Sequence, residues 1–213
     1  APRLAPLITA IGVSILLQTL AMIIWSRNPL TFPQLLPSVP IDIFTTDATI
    51  TGKEIVIVVV SLLVMLGLVA LVEKTRLGRA MRATAENIRV AGLMGVNPNF
   101  VIAMTFVLGA ALAALAGVMI ATNYGNASFH MGFTPGLKAF TAAVLGGIGN
   151  LYGAMVGGVL LGLIEALGAG YIGDLTDGVF GSNYQDVFAF IVLIAVLVLR
   201  PSGIMGERVA DRA

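Results

Sequence analysis

The sequence predicts an all-α, polytopic membrane protein: a helical bundle with a helix in a cytoplasmic loop and a re-entrant helical hairpin broken by glycines. Of its 213 residues, 58% are hydrophobic and 11% are charged, whereas about a quarter of the residues of a soluble protein are charged. Several stretches with little or no charge are long enough to cross a hydrocarbon core of about 30 Å. One polar segment, residues 73–98, divides these apolar stretches and carries five of the twelve basic residues.

Composition also argues against several kinds of function. The formal net charge is +1, which argues against a nucleic-acid partner because phosphate binding needs a basic surface. The chain has no cysteine and a single histidine, His130, so we predict neither a disulfide framework nor a metal site. The sequence starts at an alanine and enters an apolar stretch almost at once. We therefore expect that an N-terminal portion is missing.

The first third of the chain predicts two membrane spans joined by an external loop. Residues 4–25 carry no charge and end at Trp25, a residue typical of the membrane interface. Segment 27–53 contains four prolines and is predicted to be an extended loop on the external side. The second span covers residues 55–72, and the charged pair Glu73 and Lys74 ends it.

Segment 73–98 is predicted to be a cytoplasmic loop, because loops rich in Lys and Arg remain on that side of the membrane. At helical spacing, Arg82, Glu86 and Arg89 fall on one face of a short amphipathic helix. The opposite face is apolar and consists of Met81, Ala85, Ile88 and Ala91. We expect this helix to lie on the inner surface of the membrane.

The third span is predicted over residues 100–121. Its Gly109, Ala113 and Gly117 recur every four residues and form a face that another helix can approach closely. The small residues Gly158, Gly162, Ala166 and Gly170 predict a second face of this kind.

Residues 138–169 predict a broken pair of helices, interrupted at Gly146, Gly147 and Gly149. Neither half is expected to be long enough for a full span, so we predict a re-entrant pair that enters the membrane and returns. Non-helical backbone at membrane depth needs protein or water around it, which favours a break in or beside the translocation path. The last span covers residues 186–199, and the basic tail with Arg208 and Arg212 fits the cytoplasmic side.

A few polar residues are candidates for the translocation path. Glu165 is the one acid deep in an apolar stretch, and a charge inside the membrane is costly enough to suggest a functional site. It could face the path, contact a substrate ammonium group, or form a structural pair with Lys138. Gln18 could line the path or hydrogen-bond another helix. Asn123 and Tyr124 could line the entrance, while His130 and Lys138 are expected to be solvated near the external face.

Four blocks of sequence, which occur in a fixed order, resemble a known family. The blocks are RAMRATAENIRVAGLMGVN, VIAMTFVLGAALAALAGV, GLKAFTAAVLGGIGNLYGAMVGGVLLGLIEAL and RPSGIMG. Together they resemble the permease subunits of ABC transporters for branched-chain amino acids, over nearly the whole chain. Glu86 and Gly92 of the loop, together with Ile102 in the third span, have the spacing of the coupling motif of such permeases, although Asn87 and Ile88 replace its two alanines.

The resemblance implies import of leucine, isoleucine and valine across the inner membrane by alternating access. It also implies partners: ABC ATPase subunits, a second homologous permease and an extracytoplasmic amino-acid-binding protein. The loop helix would couple the permease to the ATPase through Arg82, Glu86, Arg89 and Gly92.

The chain is predicted to be a transport subunit without a cofactor or a catalytic site of its own. It has no phosphate-binding loop, since Gly52 and Lys53 are followed by Glu54. ATP would therefore be bound and hydrolysed by partner subunits. An alternative hypothesis, a secondary transporter or channel for small polar solutes, keeps the broken helices and Glu165 but needs no ATPase.

Overall fold

The computed structural model describes residues 5–34, 40–42, 49–175, 184–200 and 202–206. Parts of the predicted external loop, residues 35–39 and 43–48, lie outside the described residues, as do Arg208 and Arg212 in the predicted tail. The chain divides into two compact units, unit 1 (Ala1–Gly132) and unit 2 (Phe133–Ala213).

Unit 1 contains helices and short strands. The helices are α1 (Ala5–Ile24), α2 (Gly52–Lys74), α3 (Arg76–Glu86), α4 (Ile88–Leu93) and α5 (Pro98–Tyr124). The strands are β1 (Leu30–Thr31), β2 (Pro40–Asp42), β3 (Thr49–Thr51) and β4 (Asn126–Ala127). Local sequence sets the helix ends: the backbone N–H of Thr51 donates to Glu54 Oε2 (2.9 Å) at the start of α2. Asn97 Oδ1 accepts from the N–H of Phe100 (3.3 Å) at the start of α5.

The loops of unit 1 lie at two opposite ends. Strand β1 pairs antiparallel with β4, which brings the segments after α1 and α5 together. At the same end, Lys53 Nζ donates to the carbonyl oxygen of Asn123 (3.2 Å). Helices α3 and α4 connect the other ends of α2 and α5. The segments predicted to be external therefore lie at one end of unit 1, and the basic loop lies at the other.

The prediction of a single loop helix is wrong, because the structure contains two helices separated at Asn87. The backbone of Asn87 is extended (φ −155°, ψ 106°), so it ends α3. Its side-chain oxygen accepts from the N–H groups of Arg89 (3.0 Å) and Val90 (3.2 Å) and so starts α4. Asparagine competes well for exposed N–H groups at a helix start, which explains the break.

Unit 2 contains α6 (Phe133–Gly146), α7 (Leu151–Leu175) and α8 (Gln185–Leu199). The helical pair broken at the glycines is present, but the expectation that neither half could span the membrane is wrong for α7. This helix has 25 residues, and residues 151–171 of it are long and apolar enough to cross a membrane, as are α2 and α5. The glycines in α7 do not end the helix. Gly153 and Gly157 instead allow it to pack closely on α6.

The closest packing between α6 and α7 uses Gly153 and Gly157. A Cβ atom at Gly153 would meet the backbone of Gly146, and one at Gly157 would meet the backbone of Ala142 and Gly146. The predicted small-residue face of α7 is less crowded, since a Cβ at Gly162 would meet no atom within 4 Å. The same is true of Gly109 in α5.

Candidate functional site

Three charged side chains join the three helices of unit 2. Lys138 of α6 places its Nζ atom 2.8 Å from Glu165 Oε2 of α7 and 2.8 Å from Asp186 Oδ1 of α8. We call these residues the charge triad. The side chains of Lys138 and Glu165 are 28% and 17% exposed, and that of Asp186 is 45% exposed. One ammonium group thus connects all three helices.

The charge triad carries one uncompensated negative charge, because two carboxylates share a single ammonium. Glu165 Oε1 is buried and has no hydrogen-bond partner among the described residues. A small cavity adjoins the triad and is lined by the three triad residues, by Thr134 and Thr141, and by the apolar Leu137, Ala189 and Phe190. A buried charge without a partner is costly. The triad therefore has the capacity to accept a cationic group.

The sequence predicted only part of this arrangement. The pairing of Glu165 with Lys138 is observed, but the expectation that Lys138 is solvated in a loop is wrong. Helix α6 begins at Phe133, earlier than predicted, since Pro135 lies in its first turn, where a missing N–H is tolerated. Asp186 was not identified as a site residue. Its position in the first turn of the last predicted span was the available signal.

The glycine break, residues 146–150, is covered by the segment 202–206 that follows α8. Gly147 and Gly149 have positive φ angles of 115° and 91°, which favour glycine. The N–H groups of Ile204 and Met205 donate to the carbonyls of Leu145 and Gly146, both at 2.9 Å. Asn150 Nδ2 donates to the carbonyl of Met205 (2.8 Å).

Of the three glycines proposed for the path, Gly146 and Gly147 are buried and Gly149 is exposed. A Cβ atom at Gly147 would overlap the backbone of Gly206. The break thus anchors the end of α8, a role that the sequence analysis did not predict.

The loop helices of unit 1 have distinct contacts. Helix α3 packs on α2 and α5 with Gly78 and Thr84 buried, and its charged residues are exposed. Arg82 Nη1 donates to the carbonyl of Val72, near the end of α2. Arg82 therefore ties the loop to a long helix of its own unit.

Leu93 at the end of α4 and Met94 after it are exposed apolar side chains, which we call the α4 patch. Leu93 is 87% exposed and Met94 79%. Of the predicted apolar face of the loop, Met81, Ala85 and Ile88 line one groove against α5, and Ala91 is buried. Gly92 lies beside the patch and is exposed. Clustered apolar side chains at an exposed surface are typical of a protein interface.

The remaining candidates for the path lie in unit 1. Gln18 Nε2 donates to Ser14 Oγ (3.2 Å), one turn earlier in α1. Tyr124 is exposed at the end of α5. Asn123 contributes its carbonyl to Lys53. His130 lies in the loop after α5, as predicted, with its ring 4.9 Å from that of Phe129.

Comparisons with known proteins indicate one family. A family model described as the branched-chain amino acid transport system permease component matches residues 1–197. The permease protein BraD of Pseudomonas aeruginosa is 48% identical over 207 residues, which is 96% of this chain and 65% of BraD. LivH of Salmonella typhimurium is 44% identical with the same coverage of both chains. Both are named as high-affinity branched-chain amino acid permeases.

A more distant relative has a different name. The galactofuranose transporter permease YtfT of Escherichia coli is 30% identical over 164 residues, 73% of this chain and 47% of YtfT. This chain spans 65% of the length of BraD and LivH, less than two thirds. No solved structure matches it significantly.

Proposed function

This chain belongs to the family of branched-chain amino acid transport permeases, and we propose that it is the membrane-spanning subunit of an ATP-driven importer for leucine, isoleucine and valine. The substrate assignment is supported by BraD and LivH, which are 48% and 44% identical to it. YtfT, at 30% identity, is named for a sugar. Our assignment of the substrate therefore rests on the more similar relatives and not on the family as a whole.

The observation that carries the proposed coupling is the α4 patch on the basic loop. A loop with five basic residues between two apolar helices is expected on the cytoplasmic side, where an apolar patch would otherwise remain in water. We assign the patch to docking of an ABC ATPase subunit, with Glu86, Arg89 and Gly92 beside it. ATP is bound and hydrolysed by that partner, and this chain itself binds no cofactor.

Two contacts would transmit movement of the ATPase to the long helices. The bond of Arg82 to the carbonyl of Val72 links α3 to the end of α2. Helix α4 leads through a tight turn at Gly95 (φ 85°) to Asn97, which caps α5. Displacement of the loop would therefore move α2 and α5 with it. This movement is the step that switches access in the proposed mechanism.

The charge triad supplies the polar group for the proposed path. Glu165 Oε1 has no hydrogen-bond partner among the described residues and lies beside a cavity that Leu137, Ala189 and Phe190 line in part. This arrangement suits the ammonium group of an aliphatic amino acid. Gln18, Asn123, Tyr124 and Gly149 remain proposed path residues. A second homologous permease would complete the path, and an extracytoplasmic binding protein would deliver the amino acid. The complex would lie in the inner membrane, with loop 73–98 and the C-terminus in the cytoplasm.

The test is ATP-dependent leucine uptake by the assembled importer in vesicles, with and without Glu86→Arg. We expect uptake to be lost while the membrane subunits still assemble. Asn99→Arg is the matched control, because Asn99 is also exposed at the loop end of unit 1 and lies outside the coupling residues.

Each other outcome removes a different part of the proposal. Uptake unchanged by Glu86→Arg would exclude the coupling role of Glu86. Uptake at full rate without ATPase subunits would exclude the importer and favour the secondary transporter or channel. Failure to take up leucine in any preparation would contradict the substrate assignment.

A further inference from the structure

Helix α3 presents a row of exposed arginines. Arg76, Arg79 and Arg82 recur every three residues, and all three are exposed. Like charges at this spacing repel each other. The row is therefore suited to an anionic partner.

Arg82 also lies at the rim of an open groove between α3 and α5. Apolar side chains line most of this groove, among them Met81, Val101, Ile102 and Phe106. Phe106 is 77% exposed, so the rest of unit 1 leaves most of this side chain uncovered.

The depth of the groove distinguishes lipid from a soluble partner. Ile102 and Phe106 follow Pro98, the first residue of α5, by about 6 and 12 Å along the helix axis at about 1.5 Å per residue. The groove thus extends from the basic surface toward the hydrocarbon region, where a soluble subunit would not reach. The α4 patch, in contrast, lies on the loop itself.

We propose that this groove, together with Arg79 and Arg82, binds an anionic phospholipid of the adjoining leaflet. One acyl chain lies against Ile102 and Phe106, and the phosphate lies against the two guanidinium groups. Arginine presents several N–H donors in a fork that matches phosphate. Arg82 uses one donor for the carbonyl of Val72, so others remain. The bound lipid offsets part of the positive charge of the arginine row and holds α3 against the membrane surface.

The test uses the assembled importer in nanodiscs and a fluorescent reporter in the groove. Because the chain has no cysteine, Phe106→Cys can be labelled with bimane before the partner subunits are added. Quenching is then compared between brominated phosphatidylglycerol and brominated phosphatidylcholine. We expect the labelled groove to prefer phosphatidylglycerol by more than tenfold at low salt, and the preference to fall at high salt.

The variants identify the arginines responsible. Arg79→Gln should lower the preference about fivefold, the contribution expected of one basic residue near an anionic lipid. Arg79→Gln is the main test. Arg82→Gln is secondary, because it also removes the hydrogen bond to α2. Arg27→Gln is the matched control: Arg27 is exposed near β1, at the opposite end of unit 1, so its substitution should leave the lipid preference unchanged.

Two results would overturn the proposal. Equal quenching by the two lipids in the parent protein would show that the groove does not select an anionic headgroup. An unchanged preference in Arg79→Gln, combined with weaker binding of the ATPase subunits, would assign the arginine row to the protein partner instead.

Discussion

Loss of Lys138 should destabilise unit 2 far more than loss of either carboxylate of the charge triad. Lys138→Met leaves Glu165 and Asp186 without the cation that lies 2.8 Å from each. Removing one partner of a buried pair costs about 3–5 kcal/mol. Because Asp186 is 45% exposed, we expect the low end of this range, about 3 kcal/mol. Glu165→Gln leaves a one-to-one pair and should cost about 1 kcal/mol.

Thermal unfolding of the assembled membrane complex in detergent measures this difference. For a cooperative unfolding unit of the size of this chain, 1 kcal/mol corresponds to a shift in Tm of about 2–4 °C. Lys138→Met should therefore lower the Tm by about 6–12 °C, and Glu165→Gln by no more than about 4 °C. The triple variant Lys138→Met/Glu165→Gln/Asp186→Asn should recover most of the loss, because it leaves no unpaired charge.

The order of the three variants decides whether the reasoning holds. If Lys138→Met is as stable as Glu165→Gln, the ammonium does not hold the carboxylates together. If the triple variant is no more stable than Lys138→Met, the loss comes from packing and not from unpaired charge. Either result would refute the assignment of the triad as an electrostatic junction of α6, α7 and α8.

Three further predictions concern the other contacts. Gly147→Ala should destabilise the complex by about 1–3 kcal/mol in thermal unfolding, because φ is 115° and the added Cβ would overlap the backbone of Gly206, after α8. Gly162→Ala, a helical position with open space, is its control and should have little effect. Asn87→Ala should cost about 1 kcal/mol by removing the cap of α4 and should speed hydrogen exchange there. Asn99→Ala is the control and should leave hydrogen exchange in α4 unchanged. Leu93→Ser should leave Tm unchanged, since Leu93 is 87% exposed, but should weaken binding of the ATPase subunits. Strong binding by this variant would exclude Leu93 from the docking surface.

The sequence predicted the helices of unit 1 well because their signals are local. Long apolar stretches produced α1, α2 and α5 close to the predicted limits. The charged pair at Glu73 and Lys74 marked the end of α2, and Asn97 with Pro98 marked the start of α5. Asn87 is also a local signal, which hydrophobic periodicity overrode in the prediction of a single loop helix. These features depend on neighbouring residues, so a single sequence contains them.

The contacts that shape the candidate site were decided by tertiary structure. Glu165 and Asp186 belong to different helices, and Asn150 contacts Met205 across 55 positions of sequence. Apolar periodicity shows that such helices are buried in lipid or protein, but it does not show which faces meet. The sequence alone therefore determined a helical membrane protein with a basic loop and a glycine break. Only helix packing decided that one lysine serves two carboxylates and that the break receives the turn after α8, because both depend on distances between separate helices.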